Sequence, residues 1–167
     1  YDSSAISRSN TTNKHYGVSI RCLADEVETG FQPQTPSELQ TAVDMWVDDN
    51  ESALSTYGEI NTWDVSLITD MEDLFKSKTT FNSDISNWDV SNVKHMRQMF
   101  KDATSFNQDL SGWDVSSVID MEAMFEDASS FNGDISGWDV SNVTTMSLMF
   151  RDASNFNGDL SSWNVSN

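Results

Sequence analysis

The sequence predicts an α/β fold: a right-handed solenoid of 25-residue strand–turn–helix repeats, preceded by an N-terminal capping helix. Three observations support this prediction: a fixed period of 25 in the aromatic residues and methionines, a short amphipathic pattern inside each period, and a helix-start motif before the first repeat. Such a period indicates stacked supersecondary units in place of one globular core. The recurring residues are Trp63, Trp88, Trp113, Trp138 and Trp163, with Phe81, Phe106, Phe131 and Phe156, and Met71, Met96, Met121 and Met146.

One repeat, residues 131–155, illustrates the expected unit. Ile135, flanked by Asp134 and Ser136, predicts a short strand whose isoleucine faces inward. The DVSN segment at 139–142 has the residue types that cap the first turn of a helix. Apolar residues then follow at i, i+3, i+6 and i+7, which is one face of a short helix. These residues are Val143, Met146, Met149 and Phe150.

The strand face is the candidate binding surface. If Ile135 faces the core, Asn132 and Asp134 face solvent, and their counterparts in the stack extend this polar surface, which solenoids use for binding. Adjacent carboxylates about 4.8 Å apart repel unless cations, water or amides lie between them. A calcium ladder is therefore one hypothesis, although calcium needs six to eight oxygens and no recognised calcium loop is present. The candidate ligand-binding residues are Asn82, Asp84, Asn107, Asp109, Asn132, Asp134, Asn157 and Asp159.

The charge of the chain limits its partners. With 27 acidic and 9 basic residues the net charge is −18, which repels phosphate backbones and anionic lipid headgroups. We therefore expect no nucleic-acid partner and no direct membrane insertion, since no apolar run of about 18 residues is present. Cations, basic proteins and neutral glycans remain compatible with this negative charge as partners. The single cysteine, Cys22, excludes an internal disulfide.

The N-terminal third differs from the repeats. Thr35 to Glu38 reads as a capping box with proline at the first helical position, and Gly58 reads as a stop. The alternation of Val18, Ile20 and Cys22 predicts a half-buried strand. The last repeat stops partway, so we expect further repeats or a cap to follow. The predicted regions are an N-terminal strip at 1–25 that ends an upstream domain, a linker at 26–34, a capping helix at 35–58 and a truncated repeat solenoid at 59–167.

No catalytic constellation is recognisable. His15 and His95 lie in no metal-ligand or nucleophile motif and are expected on the surface. Acid pairs such as Asp84 and Asp89 recur in each repeat. A glycosidase-like active site contains a single carboxylate pair, so this recurrence argues against a catalytic role. The sequence thus predicts a protein that is not an enzyme.

The segment FNGDISGWDVSNVTTMSLMFRDAS at 131–154 resembles the 25-residue repeat of the BspA-like surface proteins. These are leucine-rich-repeat relatives, also known from mycoplasma lipoproteins. The resemblance covers about 110 residues and includes the helix followed by STYGEINTWDVS at 55–66. It implies a leucine-rich-repeat-like solenoid, a secreted or cell-surface location, and adhesion or recognition without catalytic residues. In addition, YGVSIRCLAD at 16–25 is similar to the closing strand of the Fibrobacter-type paralogous domain, a C-type-lectin-like fold.

Three functions follow as hypotheses. The leading one is an extracellular adhesion or recognition module that binds a protein or a glycan at a cell surface through the polar strand face. The second is a structural spacer or stalk of a larger surface protein, stiffened by calcium. The third is a targeting appendage of a secreted carbohydrate-active enzyme. Neither the ligand nor the oligomeric state follows from the sequence.

Overall fold

The computed structural model describes residues 30–166. Its helices are α1 (Pro36–Asp48), α2 (Asn50–Tyr57) and a 3-10 helix at Ile60–Thr62. The rest of this region consists of turns and extended connections, with isolated parallel bridges but no β-strand. Neither helix of this region has the length and apolar composition needed to cross a membrane. The predicted strip at 1–25, including its strand, lies outside the described residues.

The predicted helix start is confirmed. The side chain of Thr35 accepts a hydrogen bond from the N–H of Glu38 at 3.2 Å, and Pro36 occupies the first helical position. The expected single helix at 35–58 is instead two helices. Asp49 leaves helical geometry and its carboxylate accepts the N–H of Ser52 at 3.2 Å, which caps α2. Gly58 ends α2 with a φ of 72°, a conformation that glycine adopts without strain.

Helix α1 covers the first repeat unit. We number the units as unit 1 (56–80), unit 2 (81–105), unit 3 (106–130), unit 4 (131–155) and the partial unit 5 (156–166). The Trp46 ring of α1 meets Trp63 edge-on at 5.8 Å, and its indole N–H donates to Ser83 Oγ at 2.9 Å. Lys78 forms an ion pair with Asp44 at 2.7 Å. The buried face of α1 consists of Leu39, Ala42, Val43 and Trp46.

Aromatic rings stack from unit to unit, as the 25-residue period predicted. Phe75, Phe100, Phe125 and Phe150 form one column with centroid distances of 5.2, 5.4 and 5.8 Å. A second column lies against the first, with 4.0 to 4.2 Å between each ring of the first column and its partner at the start of the next unit. Indole N–H groups also join units. The second column consists of Phe81, Phe106, Phe131 and Phe156.

Backbone hydrogen bonds between units replace those of a helix. In unit 1, alternate residues donate their N–H groups to carbonyl oxygens of unit 2 at 2.8 to 3.0 Å, and units 2 and 3 repeat this pattern. Between these bonds the chain makes tight turns whose third residue has a positive φ, as in type II turns. The unit 1 donors are Met71, Asp73, Phe75 and Ser77, and the acceptors are His95, Arg97, Met99 and Lys101.

The prediction of a right-handed, leucine-rich-repeat-like α/β solenoid of strand–turn–helix repeats is therefore wrong. The expected helix at 143–150 is a chain of turns: Met149 donates to the carbonyl of Met146, three residues back, and Leu148 has a φ of 61°. A left-handed residue is incompatible with an α-helix. The expected strand at Ile135 is absent because Asp134 and Ser136 close a local turn instead. Ile135 itself does face the core, at 1% exposure.

We expect Phe100→Ala to lower the free energy of unfolding by about 3–5 kcal/mol, because the ring is fully buried between two stacked neighbours. Phe150→Ala changes the equivalent ring in unit 4, which is only half-buried, and should cost less. Urea denaturation followed by tryptophan fluorescence measures both. Equal losses would show that stacking on both sides adds no stability.

Candidate functional site

The four predicted asparagines form a column along the stack. The side-chain oxygen of each of the first three accepts the backbone N–H of its counterpart in the next unit, at 2.8 to 2.9 Å. Gln108 adds hydrogen bonds to the backbone and side-chain oxygens of Asn82, at 2.7 and 2.9 Å. These side chains are exposed and at the same time join the units. The Asn column consists of Asn82, Asn107, Asn132 and Asn157.

The four predicted aspartates form a second exposed column, which we call the first Asp column. Each carboxylate accepts, through Oδ1, the N–H of the serine two residues later at 2.9 Å. This Asx-turn holds the carboxylate in a fixed orientation while leaving it in solvent. The structure thus places the predicted residues on the surface, but on turns and not on strands. The column consists of Asp84, Asp109, Asp134 and Asp159.

A further column of aspartates, the second Asp column, was missed as a surface feature. The DVS segments were interpreted as helix caps. Their aspartates do accept backbone N–H groups, but those N–H groups belong to turns and not to helices. Each carboxylate accepts the N–H of the following serine at 3.0 to 3.1 Å. The recurrence of Asp-x-Ser is the sequence signal that identifies both columns. The second Asp column consists of Asp64, Asp89, Asp114 and Asp139.

Serine hydrogen bonds lower the pKa of five of these aspartates. The Ser66 hydroxyl, and then its N–H, lower the pKa of Asp64, and Ser116 does the same for Asp114. The charge of Asp139 opposes this at Asp114 by raising its pKa, which shows that neighbouring carboxylates of the column repel each other. The same serine contacts lower the pKa of three more aspartates: Asp134, Asp139 and Asp159.

The described region contains no set of side chains that would bind calcium as hypothesised. Residues 30–166 contain no group of three or more His, Cys, Asp or Glu side chains placed to hold a metal ion. His95, expected on the surface, is half-buried and lies in parallel bridges with Asp70 and Asp120 of the adjoining units. The hydrogen bonds of the Asn column and of the backbone join the units in this region.

One buried carboxylate lies inside the stack. Glu126 is 1% exposed, and its side chain contacts Lys101 of the preceding unit at 2.8 Å and Arg151 of the following unit. All three occupy the same position of the repeat, so the charges alternate along the stack. Removing either cation would leave a buried charge less well compensated, which is costly. This column therefore stabilises the stack, and its carboxylate is not accessible to a partner.

An apolar groove of about 530 Å³ opens on units 4 and 5. Leu148 and Val165 in its lining are 48% and 61% exposed, and Arg151 supplies its charged group. No pattern in the sequence indicated this groove. It contains no pair of acid and base side chains, so its geometry gives no indication of catalysis.

We expect Asn107→Ala to lower the free energy of unfolding by about 0.5–1.5 kcal/mol, because the N–H of Asn132 loses its acceptor. Asn87→Ala is the matched control. Asn87 is exposed, and the hydrogen bond to Asn61 uses its backbone N–H, which the substitution keeps. Urea denaturation of the two variants gives the comparison. An equal effect at both positions would contradict a stabilising role for the Asn column.

The aspartate turns should also produce a pH-dependent contribution to stability. Because the folded-state pKa values of Asp114, Asp134 and Asp139 are lowered, their contribution is present above the unfolded pKa of about 4 and is lost as the pH falls through the folded values. Replacing all three with Asn keeps the turn acceptor and removes the titration. Urea midpoints should therefore show the wild type losing stability relative to this variant below about pH 4. Parallel curves would exclude this linkage.

The chain was compared with curated proteins, solved structures and family models. None of the curated proteins and none of the solved structures compared is similar to the chain. A family model described as "Mycoplasma protein of unknown function, DUF285" matches residues 42–163, well over half of the 167 residues. The match begins within α1 and includes the Asn column and both Asp columns. The chain belongs to the DUF285 family.

Proposed function

We propose that the chain is an extracellular recognition module that binds a protein partner with a basic surface. The observation that carries this proposal is the first Asp column, in which four exposed carboxylates are each oriented by a hydrogen bond and recur at the same position of successive units. Phenylalanine rings at equivalent positions of successive units are 5.2 to 5.9 Å apart, and the carboxylates recur with the same 25-residue period. A fixed row of one charge sign favours a partner of the opposite sign.

The long-range charge supports the same class of partner. With a net charge of −18 the chain attracts cationic surfaces and repels anionic ones, and such attraction accelerates association at low ionic strength. Lowered pKa values at Asp134 and Asp159 keep these acids ionised well below neutral pH. A neutral glycan gains less from such a surface, although the exposed amides of the Asn column supply hydrogen-bonding groups.

The cell-surface location rests on the resemblance of the repeats to BspA-like surface proteins. Membership of a family described for Mycoplasma is in keeping with that resemblance. We infer a secreted or surface-anchored parent protein, in which this repeat stack contributes recognition. This resemblance concerns the repeat sequence alone, since the strand–turn–helix repeats that it implied are absent from residues 30–166.

A structural spacer is the second candidate, and one observation favours it. The side chains of the Asn column, which were proposed to bind a ligand, are hydrogen-bonded from unit to unit. A stack joined in this way along its surface resists bending, which suits a stalk. The enzyme-appendage hypothesis has no comparable observation in its favour among the described residues.

The proposal is tested with the quadruple variant Asp84→Asn, Asp109→Asn, Asp134→Asn and Asp159→Asn. Asparagine retains the turn acceptor, so the fold should persist while four charges are lost. We expect the wild type to bind members of a panel of immobilised basic proteins in biolayer interferometry, with affinity falling as salt rises. The variant should bind several-fold more weakly.

A second quadruple variant provides the matched control. Replacing four exposed acids outside the columns with their amides removes the same charge, so only a difference between the two variants implicates the first Asp column. Equal weakening would attribute binding to net charge alone. Retained binding to a neutral glycan array by the column variant would identify a glycan module, and no binding in any assay would favour the spacer. The control substitutions are Asp48→Asn, Glu51→Gln, Glu59→Gln and Asp152→Asn.

A further inference from the structure

One side of the stack differs in sequence from unit to unit, unlike the Asn column and the two Asp columns. We call it the bridge face, because it contains the parallel bridges that place Asp70, His95, Asp120 and Thr145 in register. Backbone hydrogen bonds of 2.8 to 2.9 Å also join Lys94 to the units on either side. Each unit contributes one row of residues to this face. The rows are residues 69–73, 94–98, 119–123 and 144–148.

The sign of the charge changes from row to row. The unit 2 row is basic and contains Lys94, His95 and Arg97, whereas the unit 3 row contains the acids Asp120 and Glu122. The unit 4 row has no charged residue. A basic row between two acidic rows does not serve solubility, which the net charge of −18 already provides. The unit 1 row contains the acids Asp70, Glu72 and Asp73.

Contacts within the chain leave the charges of the unit 2 row incompletely paired. The guanidinium of Arg97 lies 3.7 Å from a carboxylate oxygen of Glu72 and 3.9 Å from one of Glu122, and both distances are longer than a hydrogen bond. Its Nε is shielded from solvent but has no hydrogen-bond partner in the described region. Lys94 is exposed and forms no ion pair within residues 30–166. Both cations can therefore contact carboxylates of another molecule.

The alternation of charge between neighbouring rows selects the kind of partner. A polymer of uniform charge would meet a repelling row beside each attracting row, and a neutral glycan would gain nothing from the alternation. A protein surface with the reversed alternation would match the charged rows. Ile119 adds an apolar contact in the unit 3 row, since its side chain is 40% exposed. The bridge face therefore fits a protein.

The bridge face of a second copy has the required alternation. In a two-fold dimer both copies use the same patch, so every contact occurs twice. An axis between units 2 and 3 sets the basic unit 2 row of each copy opposite the acidic unit 3 row of the other. It also sets the acidic unit 1 row opposite the uncharged unit 4 row, so no like charges meet. An axis through unit 2 or unit 3 would place like charges opposite each other.

We propose that two copies of the chain associate through the bridge face, about a two-fold axis between units 2 and 3. Lys94 and Arg97 of each copy then face Asp120 and Glu122 of the other. The net charge of −18 opposes association at long range, but at physiological ionic strength this repulsion is screened beyond about 8 Å, while groups in contact still attract. Neither Asp column belongs to the bridge face, so the dimer displays both columns twice to a basic partner.

The test measures the oligomeric state of the intact chain by sedimentation velocity, in physiological salt and over a wide range of protein concentration. We expect a monomer–dimer equilibrium for the wild type. Lys94→Glu reverses a charge that has no ion pair within the described region, and should raise the dissociation constant of the dimer at least about 10-fold. The matched control, Thr80→Asp with Ser105→Asp, adds the same two negative charges at exposed positions outside the bridge face and should have little effect. A wild type that is monomeric at every concentration, or equal weakening by variant and control, would overturn the proposal.

A mixing experiment tests which rows face each other. One variant, Lys94→Glu with Arg97→Gln, makes the unit 2 row acidic, and the other, Asp120→Asn with Glu122→Arg, makes the unit 3 row basic. Each variant alone should be at least about 10-fold weaker as a dimer, because rows of like charge then meet. In an equimolar mixture the rows are complementary again, and native mass spectrometry should detect the heterodimer. Thermal melts followed by circular dichroism verify that both variants fold. Two folded variants that form no heterodimer would show that the unit 2 row does not face the unit 3 row.

Discussion

The rest of the structure depends on the hydrogen bonds that alternate backbone N–H groups donate to the next unit. Phe75 donates to Met99, and Phe100 donates to Met124, each at 2.9 Å. Because these donors are used between units, they are unavailable for a helix within a unit. The fixed offset of such bonds also requires every unit to have the same length. Identical side chains therefore come into register, and the Phe columns stack at nearly constant distances.

The period predicted the core but not the secondary structure. It identified the Trp, Phe and Met columns, because residues at one repeat position must meet whenever units stack. A spacing of i, i+3, i+6 and i+7 is typical of a helix, yet successive tight turns produce it equally well. The decisive residues are Ala123 and Leu148, which adopt φ values of 53° and 61°. Neither residue type signals a left-handed turn, so the error could not be detected from composition.

The candidate site shows a similar division. Inward-facing Ile135 predicted that Asn132 and Asp134 would be exposed, and they are. The partner of Asn132, however, is the backbone of a residue 25 positions away, and no local pattern specifies that hydrogen bond. The turn of Asp134 with Ser136 is local, and its Asp-x-Ser signature was available in the sequence. The role of Asp134 could therefore be predicted from the local sequence. The role of Asn132 could not, because it depends on the register between units.

The use of aspartate in these turns requires an explanation beyond the fold. Asn164 occupies the position of the second Asp column in unit 5, and its side chain accepts the N–H of Ser166 at 3.3 Å. An amide therefore makes this turn without a charge. At Asp114 the charge of Asp139 works against ionisation, because repulsion between the two carboxylates raises the pKa of Asp114. Solubility alone would be served by acids anywhere on the surface. Carboxylates that recur in a regular row and are held in one orientation form a charge pattern that a complementary cationic surface can match. Dispersed carboxylates form no such pattern.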